Sequence, residues 1–144
     1  MAGLPANSSA PPSRPAASIV VPTYREAENL RPLVTRLAAA MAEAAPYEVI
    51  IVDDDSRDGT AEQVAALAAE GHPVRLVTRV GERGLSSAVI RGFQEAAGRT
   101  LVCMDADLSH PPEAVPALLA LADGEADFVI GSRYVPGAST DEAW

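Results

Sequence analysis

The sequence predicts an α/β domain with a mostly parallel sheet and helices on both faces, and three observations predict it. From residue 18 onward five short apolar, β-rich runs alternate with longer stretches of helical periodicity. Strict alternation implies right-handed crossovers between parallel strands. The runs are continuously apolar and do not alternate, as strands buried on both faces require. Finally, 144 residues with 48% hydrophobic content suit one domain with a real core.

The elements follow in order. The first 17 residues, MAGLPANSSAPPSRPAA, are rich in Pro, Ala and Ser and read as a disordered tail, without the basic start and apolar centre of a signal peptide. SIVVPTY (18–24) is the first strand candidate, and Leu30, Leu33, Val34, Leu37 and Met41 then recur at helical spacing. YEVIIVDDD (47–55) is the second. Thr60 with Gln63 has the pattern of a capping box, and Val64, Leu67 and Ala68 continue that helix. PVRLVTR (73–79) is the third strand, followed by Ala88, Val89 and Phe93. RTLVCMDAD (99–107) is the fourth. Pro111 and Pro112 suit a helix's first turn before Val115, Leu118, Leu119 and Leu121. DFVIGSRY (127–134) completes the set as a fifth strand.

Composition excludes several chemistries. Twenty acids against eleven bases give a net charge of -9 with no basic stripe, which argues against a nucleic-acid binder. All eleven bases are Arg, so neither a phosphate-loop lysine nor a Schiff-base lysine exists. The one cysteine, Cys103, lies inside an apolar run and is expected to be a buried, structural thiol. It can form neither a disulfide framework nor a cysteine zinc site. No run reaches the roughly 18 apolar residues of a membrane span. The chain is expected to be soluble and intracellular.

Ligands of open parallel sheets bind outside the carboxyl ends of the strands. Asp105 and Asp107, at i and i+2 after the fourth run, share one side of the loop if strand geometry continues. Two such anions repel unless a cation lies between them, and a hard divalent ion that also takes phosphate oxygens fits. A D-x-D triplet also arises by chance on acidic surfaces. Asp53, Asp54 and Asp55 end the second run, where one could accept hydrogen bonds from a base or ribose; Asp and Gly also favour turns. No G-x-G-x-x-G follows the first strand, so the dinucleotide fingerprint is absent. His72 reads as a turn residue. His110 adjoins the acidic pair and starts the following helix.

Taken together, SIVVPTYREAENL, EVIIVDDDSRDGT, GLSSAVIRGF, VCMDADLSHPPE and FVIGSRYVPG resemble, in order and spacing, the family-two inverting glycosyltransferases of the Rossmann-like GT-A fold. Within them the resemblance is to the dolichol-phosphate or polyprenol-phosphate mannosyltransferases. It implies a GT-A domain over residues 18–144, truncated at its C-terminal end. It assigns Pro22, Tyr24, Glu26, Val52 and Asp54 to the base and ribose of a nucleotide sugar. Asp105, Ala106 and Asp107 become the diphosphate site, with Asp105 and Asp107 as ligands of Mg2+ or Mn2+, and Arg133 meets the phosphates or the sugar. Asp105, Asp107 and Arg133 are the expected catalytic residues. The implied donor is GDP-mannose, the implied acceptor the phosphate of dolichol or another polyprenol, and the implied location the cytoplasm, peripheral at the cytoplasmic face of the membrane.

The chemistry agrees with that resemblance. Inverting transfer is an in-line displacement whose leaving diphosphate a metal can stabilise. An acceptor phosphate is already ionised near neutral pH, so no general base is required. Three other readings stay open from the residues alone. One is the same reaction with a UDP-sugar; another is a catalytically silent nucleotide-sugar-binding module. The third is a phosphohydrolase of the haloacid dehalogenase type, which also places D-x-D after an apolar strand but typically needs a lysine that this chain lacks.

Overall fold

A computed structural model describes residues 14–138 of the chain. Its elements are β1 (Ala17–Thr23), α1 (Ala27–Ala40), β2 (Tyr47–Asp53), α2 (Thr60–Ala69), β3 (Val74–Thr78), α3 (Leu85–Glu95), β4 (Thr100–Cys103), a 3-10 turn (Pro112–Ala114) and α4 (Val115–Ala122). The strands form one all-parallel sheet in the order β3-β2-β1-β4, with Val20 of β1 opposite both Ile50 of β2 and Cys103 of β4.

Period-two alternation sends successive residues of the central strands into two separate cores. Ile19 and Val21 of β1, with Val49 and Ile51 of β2, pack against Leu30, Leu33, Val34 and Leu37 of α1, Val64 and Leu67 of α2, and Val115 of α4. Val20, Ile50 and Val52 face the other way, against Ala88 and Phe93 of α3. Helices therefore cover both faces, as the continuous apolar runs predict. The chain has a Rossmann-like α/β architecture, a parallel sheet with helices on both faces.

On the thinner face α3 can approach only because Gly92 has no side chain: an added Cβ would strike Val20 and come within 3.1 Å of Val52 Cγ2. Gly92→Ala is expected to cost about 1–3 kcal/mol through overpacking. A parent-like melting temperature would show that the helix can lift off without loss.

Four expectations need correction. Residues 127–134 form no strand; Phe128 and Ile130 are 81% and 71% exposed, and β4, the four-residue edge, pairs with β1 alone among the described residues. An apolar run becomes a strand only where a neighbouring edge takes up its ladder, and periodicity does not report the neighbour. Cys103 is exposed for the same reason, on that edge, while desolvation and the nearby Asp105 push its thiol pKa up. Arg14, Ala16 and Ala17 belong to the fold and not to a disordered tail: Ala17 opens β1, Ala16 N–H donates to Pro46 O and Arg14 Nε–H to Ala97 O. Residues 1–13 lie outside the described residues. Finally, Thr60 does not cap α2. Gly59 does so at φ +97°, and the Asp58 carboxylate accepts the Thr60 amide and hydroxyl together with the Ala27 amide.

The segment after β4 is clamped to α1 by a bidentate ion pair, Arg36 to Glu113, at 2.8 and 2.7 Å. Arg36 holds the Glu113 carboxyl at about 2, below its ordinary 4.5. Because the folded-state pKa is the lower one, the stabilisation is complete above 4.5 and fades as pH falls through about 2. The melting-temperature gap between parent and Glu113→Gln is expected to close over that window. A gap that persists at the acid end would remove the ion pair as its cause.

Candidate functional site

In chain order the sheet grows outward from β1 to β2 and β3, then returns to place β4 on the other side of β1. The strand order reverses between β1 and β4, and at such a switch point a crevice opens at the carboxyl ends of the two strands. A cleft of about 150 Å3 lies there, lined by Pro22, Tyr24, Glu26, Asp105, Ala106 and Asp107. Six of the nine residues singled out from the sequence thus meet in one place.

Alternation shapes the acidic side. Met104 and Ala106 are 3% exposed and belong to the larger core, while Asp105 and Asp107, between and after them, remain solvent-accessible. The Met104 amide still donates to Val20 O of β1. The Asp105 amide turns instead to His110 Nδ1 at 3.0 Å, which leaves the ring's other nitrogen, Nε2, 3.7 Å from Asp105 Oδ2. His110 therefore closes the loop on itself. The Ser109 hydroxyl and amide hold the Asp107 carboxyl below its ordinary range, the amide donating to Oδ1 at 2.9 Å.

Opposite stands β1's end. Tyr24 is 37% exposed, with the Arg83 guanidinium 4.1 Å and the Arg25 guanidinium 5.1 Å from its ring centroid. Glu26 precedes α1 and accepts from the Asn29 side chain.

Three expected site residues lie outside the cleft lining. Val52 is fully buried in the smaller core. Arg133 sits in the exposed segment after α4, its guanidinium 6.0 Å from the Tyr134 ring centroid. Asp54 is 7% exposed and paired with Arg79, itself 3% exposed: Arg79 Nε–H donates to Oδ1 at 2.7 Å and Nη2–H to Oδ2 at 2.8 Å. Its neighbours are structural: Asp53 accepts from Thr23 and from Ser56, and Asp55 pairs with Arg57. His72 lies in the turn before β3, as expected.

Arg79 and Arg83 escaped the sequence reading. The available signal was TRVGERG: an arginine ending a strand beside the one that ends in three aspartates needs a partner, and Asp54 is within reach.

Asp105 and Asp107 suit a divalent ion. They are oxygen donors, neither is paired with an arginine among the described residues, and Asp107 is held in its charged form. Those residues contain no group of three or more His, Cys, Asp or Glu that could hold a metal by themselves. Two carboxylates leave coordination positions for water and phosphate oxygens. Among the described residues no helix is long and apolar enough to cross a membrane.

Known proteins resemble the chain along most of its length. The dolichol-phosphate mannosyltransferase of Mycosarcoma maydis is 57% identical over 137 residues, 92% of this chain and 47% of that protein. That of Saccharomyces cerevisiae is 53% identical over 129 residues, 88% of this chain and 48% of that one. The chain thus spans about half the length of the curated relatives it matches. A solved mannosyltransferase from Pyrobaculum calidifontis, in complex with GDP-mannose and Mn2+, superposes with a TM-score of 0.54 at 34% identity, covering 72% of this chain and 31% of that one. The profile of glycosyl transferase family 2 matches residues 18–144, and the chain belongs to that family.

Proposed function

We propose that this chain carries the donor-binding part of a metal-dependent transferase that moves mannose from GDP-mannose to a dolichyl or polyprenyl phosphate, with inversion. The observation that carries the reading is the convergence of Asp105 and Asp107 with Tyr24, Pro22 and Glu26 in one cleft at the sheet's switch point. The names of the relatives and the GDP-mannose and Mn2+ bound by the Pyrobaculum protein support it.

Each residue has a chemical task in this reading. Tyr24 offers a ring face for the base, and Pro22 and Glu26 border the ribose. Val52 contributes through its backbone at the end of β2, and Asp54 through the loop it holds. Asp105 and Asp107 hold Mg2+ or Mn2+, and buried Ala106 sets their spacing. The ion, when bound, neutralises charge on the departing diphosphate. Arg133 supplies a further cation toward phosphates or sugar. The acceptor phosphate attacks as an anion, so no side chain needs to remove a proton, and His110, engaged with the Asp105 amide, is not required as a base. A lipid acceptor places the protein at a membrane surface, and the cytoplasmic face is where we locate it.

A thermal-shift panel tests the reading. GDP-mannose with Mn2+ is expected to raise the melting temperature, and GDP-mannose without metal to do so much less. A rise with UDP-glucose alone would transfer the reading to a UDP-sugar. No rise with any donor would remove the nucleotide-sugar site.

A further inference from the structure

Arg83 lies far in sequence from Tyr24, yet its guanidinium sits 4.1 Å from the centre of that ring, closer than that of the adjacent Arg25. The loop between β3 and α3 puts it there, and that loop is fixed from beneath. Arg79, paired to Asp54, also donates from Nη2–H to Gly84 O at 3.0 Å and from Nη1–H to Ser87 Oγ at 2.8 Å. The Gly84 amide donates to Asp54 Oδ2 at 3.1 Å. Both backbone polar groups of the residue after Arg83 are therefore held by one buried ion pair. Gly84 has φ +126°, a conformation that side chains other than glycine's rarely adopt.

Charge gives this placement a purpose. Glu26, Asp105 and Asp107 make the cleft acidic, and among the described residues Arg83 forms no ion pair. A nucleoside diphosphate adds about two to three further negative charges, of which one divalent ion offsets only part. A guanidinium stacked on the ring that borders the cleft is placed to meet that remaining charge, and cation–π contact with Tyr24 restrains it.

We propose that Arg83 is a nucleoside-diphosphate-binding residue, presented over Tyr24 by the Asp54–Arg79–Gly84 clamp, with Arg79 as a positioning residue. The proposal rests on the donor reading above and deepens it by naming a contact to the nucleotide part of the donor.

GDP binding measured by calorimetry in Mn2+ tests it. Arg83→Ala is expected to bind GDP about tenfold more weakly, the scale of one charge-assisted contact, with a shallower dependence on salt. Arg83→Lys, which keeps the charge, is expected to recover most of the affinity. Gly84→Ala, which strains the clamp, is expected to mimic Arg83→Ala, and the double variant to bind no worse than either single one. GDP affinity of Arg83→Ala equal to the parent's overturns the proposal and leaves the donor reading intact. Equal losses in Arg83→Ala and Arg83→Lys overturn the role of charge, and additive losses overturn the clamp. A parent chain that does not bind GDP overturns both the donor reading and this proposal.

Discussion

Asp54→Ala is expected to destabilise the protein by about 3–5 kcal/mol, a large share of what a domain of this size has to spare. The reason is the charge left behind. Arg79 has 1% of its side-chain surface exposed, and both Asp54 oxygens answer its guanidinium. With Asp54 gone, a buried cation keeps the Gly84 carbonyl, the Ser87 hydroxyl and a longer contact to exposed Glu82. The fall in melting temperature should be on the order of 10 °C. Removing both charges is a different experiment: Asp54→Ala with Arg79→Met should be more stable than Asp54→Ala alone, because an apolar pair of similar volume carries no stranded charge. Donor binding should weaken too, even for bare GDP, since the Gly84 amide loses its acceptor. A loss below about 1 kcal/mol in urea denaturation would place the pair among ordinary surface ion pairs and refute the burial argument.

That prediction marks the boundary of what the sequence disclosed. The parallel sheet and the two-sided helical cover were legible because hydrophobic runs and chain alternation act locally and repeat, whereas the meeting of the ends of β1 and β4 in one cleft was implied only by the family resemblance. The D-x-D pair was legible because two like charges at the mouth of an apolar strand demand an explanation. Arg79 was not, because its partner lies 25 residues away and only the β2–β3 register, with Asp53 opposite Thr78, brings them together. The fifth strand failed for the complementary reason: FVIGSRY has the composition of a strand, but no strand pairs with it among the described residues. Asp58 was hidden behind Thr60, since a capping pattern names residue types and the bond went to the carboxylate two positions earlier.

Asp107 presents the reverse of Asp54: large consequence for ligand, little for fold. Its side chain is exposed, it fills no core volume, and its hydrogen bonding is confined to the Ser109 turn. Asp107→Asn keeps an oxygen for the Ser109 amide and removes only the charge, so unfolding should be within about 0.5 kcal/mol of the parent. Metal-dependent affinity for GDP-mannose should nevertheless fall by about a hundredfold or more, since groups that merely support a ligand already account for tenfold to roughly a hundredfold. Asp107→Ala should lose the same increment together with the turn's acceptor. The comparison that decides is the ratio of affinities with and without Mn2+: in the parent it should be large, and in both variants close to one. If Asp107→Asn preserves that ratio, the carboxylate does not hold the ion, and the diphosphate must find its positive partner elsewhere, with Arg83 and Arg25 beside Tyr24 as the remaining charges within reach.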